Sequence, residues 1–394
     1  MKPLENITVI DLTRILTGPF CTMLLADFGA RVIKFEIPGM GDESRLLGPH
    51  INNESGYFMS VNRGKQSVTL DLRTAEGQQL LKEMAKKADV LIENYRPGTM
   101  DKWGLGYDEV NKINPRLIYA SISGFGHSGP YMKNPAYDIV VQGMSGIMSI
   151  TGQQDGVPTR VGTSIGDIVP ALFTTVGIMM ALYSRTFTGQ GQRLDVAMFD
   201  SLVAILENAL IRYQTTREVP EPIGNRHPAI TPFDSFAAKD GYLIVAAGNP
   251  KLFEKLCEIL KIPELLSDPR FNDPHVRHQN HKELKQILEQ AFSRFTQAEV
   301  LELLGKAGIP CSPVNRVDRL MTDPQVAARD MLVDVEHPVA GILKLPGLPI
   351  KMSMTPGEIK APAPLLGQHT EEVLSRILGL TEERINSLRE RNVI

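Results

Sequence analysis

The chain has 394 residues, 42% of them hydrophobic and 22% charged, and carries a formal net charge of −3. That length exceeds what one small core holds, so two domains are expected, and the composition argues against disorder. The near-neutral balance excludes the strong basic field that nucleic acid or an anionic membrane surface would require of a partner. Three cysteines, Cys21, Cys257 and Cys311, lie far apart and are odd in number. They outline neither a disulfide framework nor a Cys-x-x-Cys metal knuckle.

In chain order, the apolar stretch Ile7–Leu12 is too short and too soon interrupted for a signal peptide, and reads as a buried strand. Pro19–Phe28 reads as a helix opened by its proline and stopped by Gly29. Arg31–Glu36, Ser67–Leu72, Val90–Asn94 and Leu117–Ser121 read as further strands. Thr74–Lys87 reads as an amphipathic helix between two of them, with Leu80, Leu81, Met84 and Ala85 on one face. This alternation predicts an α/β fold, a parallel or mixed sheet with helices on its faces, Rossmann-like in outline. The first strand is followed by Thr13–Pro19, which lacks Gly-x-Gly-x-x-Gly, and no phosphate-loop lysine motif occurs, so neither NAD binding nor ATP hydrolysis is expected.

The most apolar run, Ile168–Tyr183, falls short of the ~20 residues of a membrane span and contains Pro170, Thr174, Thr175 and Gly177; it reads as a buried core helix. A soluble, cytoplasmic protein is expected. Arg193–Met198 reads as a later strand and Phe199–Tyr213 as a helix. The proline-rich passage Thr215–Pro232 reads as a linker. Beyond it, Phe233–Ala237 and Tyr242–Ala246 flank Lys239-Asp240-Gly241 as a hairpin, followed by helices near Pro250–Leu260, His281–Phe295 and Gln297–Lys306. Ile309–Pro313 leads back out, and helices near Glu371–Leu378 and Thr381–Arg389 close the chain.

Asp167 is the leading candidate for chemistry. It follows a small glycine-containing stretch, Val161–Gly166, and precedes the long apolar run, which puts its carboxylate at a helix start, where outward-pointing N–H groups favour an anion. A plain N-cap is one reading, with Pro170 in the first turn; a nucleophile kept ionised by the helix end is the other. Asn94-Tyr95-Arg96-Pro97-Gly98 sits at a strand's carboxyl end, where open α/β sheets bind ligands. Lys65, Arg73 and Lys102 flank similar strand ends, and basic groups around one rim suit a phosphate-bearing ligand. His275, His278 and His281 cluster in sequence, but their surroundings read as a solvated loop or helix start, so no metal is expected.

Taken in order, Gly18-Pro19, Gly29–Lys34, Gly41-Asp42, Asn94–Gly98, Ser123–Gly126, Tyr137-Asp138, Gly166-Asp167 and Thr188–Gln192 resemble the class III CoA-transferases, the family that also holds the α-methylacyl-CoA racemases. Gly224–Pro228 and Arg160–Ser164 are similar to the family's bacterial acetyl-CoA:oxalate branch. The resemblance implies an interlocked, ring-shaped homodimer. It implies a large CoA-binding domain from 1–214, a linker at 215–232, a small domain at 233–308 and a return linker at 309–330. The segment 331–394 would then complete the large domain. It also implies that Asp167 forms acyl-aspartyl anhydride and aspartyl-CoA thioester intermediates, with CoA thioesters and small carboxylic acids as substrates and no permanent cofactor. Ile15, Leu70, Arg73, Asn94, Tyr95, Lys102 and Tyr137 match the family's CoA site, and Arg96 is added for its place beside them. Gly248 and Asn249, in the thin loop Ala246–Pro250, are candidates for shielding intermediates. Ile37 stands where some members carry a basic residue. The racemase branch pairs a histidine with its aspartate where this chain has Tyr137, and tyrosine is a poor base near neutral pH, which favours transfer over racemisation. A CoA-binding homologue without turnover is the non-enzymatic alternative.

Overall fold

A computed structural model describes residues 2–394 and divides the chain into two compact units. The larger runs to Ile147 and takes in Arg160–Arg217 and Pro324–Ile394; the smaller comprises Met148–Thr159 and Glu218–Asp323.

The larger unit is built on six strands: β1 (Thr8–Asp11), β2 (Arg31–Glu36), β3 (Gln66–Thr69), β4 (Val90–Glu93), β5 (Ile118–Ser123) and β6 (Arg193–Ala197). They lie in the order β3-β2-β1-β4-β5-β6, every pairing parallel, with Val9 opposite both Val32 and Val90. Val9, Ile10, Val90, Leu91 and Ile92 are fully buried, because a parallel sheet is covered on both faces and its strands carry unbroken apolar runs. On one face, α2 (Ala75–Ala85) contributes Leu80, Leu81 and Met84, and α4 (Tyr107–Ile113) contributes Val110. Val373 and Leu374 of α13 (Thr370–Leu378) and Ile385 and Leu388 of α14 (Glu382–Glu390) join the same core. On the other face, Cys21 and Leu25 of α1 (Thr17–Asp27) pack with Ala171, Ile178 and Leu182 of α6 (Ile165–Thr188). Winding reverses between β1 and β4, so the loops after these neighbours diverge and leave a crevice beyond their carboxyl ends.

Three expectations change. Helix α6 begins at Ile165, two residues ahead of Asp167, and Pro170 lies inside it. It is not a buried core helix: Leu172, Phe173, Val176, Met180, Tyr183 and Phe187 are exposed, because one stripe packs on the sheet and the apolar residues continue around the other side. By length and composition it could cross a membrane, yet Ala171, Thr174 and Ile178 are fully buried. The single helix over Phe199–Tyr213 is instead two, α7 (Met198–Ala204) and α8 (Asn208–Thr216), broken at Glu207, whose φ of 53° is incompatible with a continuing helix.

The smaller unit pairs β7 (Phe233–Ala237), β8 (Tyr242–Ala246) and β9 (Cys311–Pro313) antiparallel in the order β9-β8-β7. Helices α9 (Pro250–Leu260), α10 (Pro274–Gln279), α11 (His281–Phe292) and α12 (Gln297–Lys306) accompany the sheet, and Phe236, Leu243, Phe253, Leu288 and Phe292 form the core. The three histidines do not share one centre: His278 and His281 stack with ring centres 6.1 Å apart and His278 Nδ1 meets the Thr231 hydroxyl at 2.9 Å, while His275 pairs with Gln279. Among the described residues, no group of three or more His, Cys, Asp and Glu side chains is arranged to hold a metal.

Candidate active site

The crevice is organised from the sheet outward by buried charge. Asp11, at the end of β1, accepts hydrogen bonds from the Thr13 N–H (2.9 Å), the Thr13 and Thr22 hydroxyls (2.5 and 2.6 Å) and the Lys65 ammonium (3.1 Å). Lys34 of β2 donates to the Thr13 carbonyl at 2.7 Å and pairs with Asp42 at 2.8 Å, both side chains out of water. Burial alone would raise the Asp42 carboxyl, but the Lys34 charge, with the Ser44 and Ile15 N–H groups, holds it well below the usual range. Burial draws Lys65 down to about 8, against the attraction of Asp11.

This network shapes the loop between β1 and α1. Ile15 has φ of 68°, an unfavourable backbone for a β-branched residue. Its N–H is tied to Asp42 Oδ1 at 3.1 Å. Its neighbour Arg14 is clamped by Asn94, whose Oδ1 accepts from the Arg14 N–H and whose Nδ2 donates to the Arg14 carbonyl, both at 2.9 Å. Asn94 therefore locks the β1 and β4 loops together. The Arg14 guanidinium lies 4.8 Å from the Tyr95 ring centre and pairs with Glu43. The Tyr95 N–H donates to Glu93 Oε2 at 2.8 Å, and burial pushes that glutamate up to about 7.

Asp167 reaches the same crevice from α6. Its carboxylate is not a cap. The N-cap position is Ser164, which makes no side-chain cap, and the Gly166 N–H is taken by Asp138 Oδ1 at 2.8 Å. Asp167 Oδ1 instead accepts the hydroxyl of Thr17, the first residue of α1, and no other hydrogen bond or salt bridge reaches this carboxylate among the described residues. The helix start was expected to keep the group ionised. Burial pushes it the other way, up to about 6; the Thr17 hydrogen bond opposes the rise and the charge of Asp138 adds to it.

A cavity of about 420 Å³ is lined by Ile15, Thr17, Asn94, Tyr95, Arg96, Tyr137 and Asp167 among others. A second, of about 320 Å³, shares Arg14, Tyr95 and Arg96 and adds Ile37, Leu70 and Arg73, the last paired with Asp71 at 2.7 Å. Lys102 is exposed on the short helix α3 (Thr99–Lys102) and lines neither. Gly248 and Asn249 belong to the smaller unit, where Asn249 caps α9 through the Leu252 N–H and a Cβ on Gly248 would fall 2.0 Å from Ile230 Cγ2. Their local roles are a cap and a close approach. Sequence reasoning missed Thr17 and Arg14; the only local hint was that Gly18-Pro19 marks a helix start whose first side chain would face a ligand.

The fold and site thus define an α/β protein with a partly buried carboxylate facing a long crevice at a sheet's switch point. The CoA-transferase family III model matches residues 4–370, and the chain belongs to that family. It is 48% identical over 352 residues to an acetyl-CoA:oxalate CoA-transferase of Acetobacter aceti, covering 89% of each chain. It is 40% identical to a succinyl-CoA:glutarate CoA-transferase of Mus musculus, covering 98% of this chain and 89% of that one. Among solved structures, a CAIB/BAIF family protein from Brucella suis superposes with a TM-score of 0.86 at 38% identity, covering 95% of this chain and 99% of that one.

Proposed function

We propose that the enzyme moves CoA from an acyl-CoA donor (acetyl-, formyl- or succinyl-CoA) to oxalate or another small dicarboxylate, with Asp167 as nucleophile. One observation carries this reading: a carboxylate with a single hydrogen bond faces the cavity that Asn94, Tyr95 and Arg96 also line. With its pKa near 6, Asp167 is mostly ionised at neutral pH. Its free oxygen attacks the thioester carbonyl, the C–S bond breaks, and CoA leaves as thiolate from an acyl-aspartyl anhydride. The thiolate then attacks Cγ of Asp167 and expels the donor acid as its carboxylate. The acceptor carboxylate attacks the resulting aspartyl-CoA thioester and displaces the thiolate, which takes the acceptor's acyl group and restores Asp167. The thioester's energy is kept at every step.

The paired cavities suit an extended ligand. Arg73, Arg96 and Lys102 are assigned to the CoA phosphates, Ile15, Leu70, Tyr95 and Tyr137 to its apolar and ring contacts, and Asn94 to holding the loop they share. Gly248 and Asn249 are assigned to the loop over the intermediates. The strand order and the closing helices support a Rossmann-like large domain. The exposed apolar stripe of α6 supports association with a second copy of the chain, and the interlocked, obligate homodimer and its cytoplasmic location rest on the family resemblance. The test is thioester exchange by mass spectrometry, with acetyl-, formyl- and succinyl-CoA offered against oxalate, formate, succinate, itaconate and carnitine. New thioesters made by the parent and not by Asp167→Ala are expected. Exchange of the α-proton of a branched acyl-CoA without CoA transfer would overturn the reading.

A further inference from the structure

Asp167 hangs from one hydroxyl, and that hydroxyl is placed with unusual care. Thr17 is buried, and the acceptor of its hydroxyl is Asp167 Oδ1. Its neighbour Gly18 packs so tightly on Thr13 that a Cβ there would fall 2.2 Å from Thr13 Cβ, and Thr13 is itself fixed by Asp11 and Lys34. The approach to Thr17 from the other side passes through Ile15, held in its strained conformation by Asp42. Two buried ion pairs thus converge on the position of one side chain. Such a supporting shell is what a preorganised donor requires.

We propose that the Thr17 hydroxyl is a catalytic oxyanion donor, aimed at Asp167 Oδ1 so that Oδ2 alone is free to attack. This rests on the reading of Asp167 as nucleophile. In the anhydride, Oδ2 bridges to the donor's acyl carbon and Oδ1 becomes a carbonyl oxygen. When the CoA sulfur bonds to Cγ, the negative charge of the thiolate moves to Oδ1, where Thr17 already donates. Collapse breaks the Cγ–Oδ2 bond, and the donor acid leaves carrying Oδ2 and the charge. Attack of the acceptor carboxylate on the aspartyl-CoA thioester raises charge on the same Oδ1, so one hydroxyl serves both steps. The groups acting on Asp167 leave it little else: Asp138 repels its charge, the half-buried Tyr57 feels it, and no cation pairs with it among the described residues.

The test compares Thr17→Val, which keeps the shape and removes the donor, with Thr17→Ser, which keeps the donor, and with Asp167→Asn. All are full-length enzymes assayed with a donor–acceptor pair the parent turns over. Thr17→Val is expected to lose roughly 10²-fold or more in kcat with little change in KM for the acyl-CoA, as for removal of one oxyanion-hole donor. The acid limb of its pH profile should move to higher pH, because the hydrogen bond that opposes protonation of Asp167 is gone, and Thr17→Ser should recover most of both. If Thr17→Val fails to fold by its unfolding transition, Thr17→Ala is read in the same way. A donorless variant with parent-like kcat and pH profile, beside an inactive Asp167→Asn, overturns the role of Thr17 alone. Exchange retained by Asp167→Asn overturns the nucleophile and this inference with it.

Discussion

Replacing Asp167 by Asn should make the protein more stable while removing its chemistry. The native carboxyl sits near pH 6 against an ordinary value of 3.8, so between those values the folded state holds a proton that the unfolded state has released. Stability therefore falls as pH rises through this window, and above it the full cost of burying the charge is present. A shift of about two units corresponds to ~3 kcal/mol at pH 8, about half of that at pH 5 and roughly 0.5 kcal/mol at pH 4. Asn keeps an oxygen to accept the Thr17 hydroxyl and presents a neutral amide where Oδ2 was, so the hydrogen bond survives and the buried charge does not. The assay is paired denaturant unfolding of parent and variant at pH 4.5 and pH 8, with thioester exchange measured on the same samples. The expected result is a variant without exchange whose stability advantage reaches at most ~3 kcal/mol at pH 8 and shrinks toward zero in acid. A variant no more stable than the parent at pH 8, or an advantage that does not depend on pH, would refute the claim that this carboxylate is held ionised at a folding cost.

The acid limb of kcat/KM for exchange should bend near pH 6 and fall about tenfold per pH unit below it, as for a single essential carboxylate. Asp138→Asn, which removes a repelling charge but keeps an acceptor for Gly166, should move that bend to lower pH, though by less than the full two units, because burial is the larger cause. Asp42→Ala should cost about 3–5 kcal/mol in unfolding free energy, since it leaves Lys34 charged and out of water, and should also free Ile15. A loss below ~1 kcal/mol would mean that water reaches Lys34 and solvates it.

The strands of the sheet were legible because buried parallel strands are runs of β-branched and aliphatic residues: Thr8–Asp11, Arg31–Glu36 and Val90–Glu93 each lie within two residues of where the pattern puts them. Strand order was not legible, because nothing local in Val9 says that both Val32 and Val90 will lie opposite it. Helix α6 misled for a physical reason. Its apolar residues run right around it, so no polar face marked the side the sheet leaves uncovered. Asn94, Tyr95 and Arg96 could be placed at a strand's carboxyl end from pattern alone. The bond between Thr17 and Asp167 spans 150 residues and has no local trace. Matching positions to a family put Ile15, Leu70, Arg73 and Tyr137 on the two cavities but also picked Lys102, which lines neither.

The correction at Asp167 changes what the residue can do. An aspartate at an N-cap spends its oxygens on backbone N–H groups, and such bonds lower both its pKa and its reactivity. Here the helix starts earlier and its Gly166 N–H goes to Asp138, seated one helix away on α5 (Asp138–Met144) and steadied by Gln142 at 2.9 Å. With the N–H of Gly166 satisfied by another residue, Asp167 is free to turn toward Thr17 and the cavity. The same exchange sets its protonation. A capping aspartate would be ionised far below neutral pH and correspondingly inert, whereas this one, buried with a single hydroxyl and repelled by Asp138, is ionised only just below it. Lifting its pKa toward neutrality would suit the nucleophile proposed for this position, more basic than an ordinary aspartate yet still largely charged, at a folding cost of at most ~3 kcal/mol.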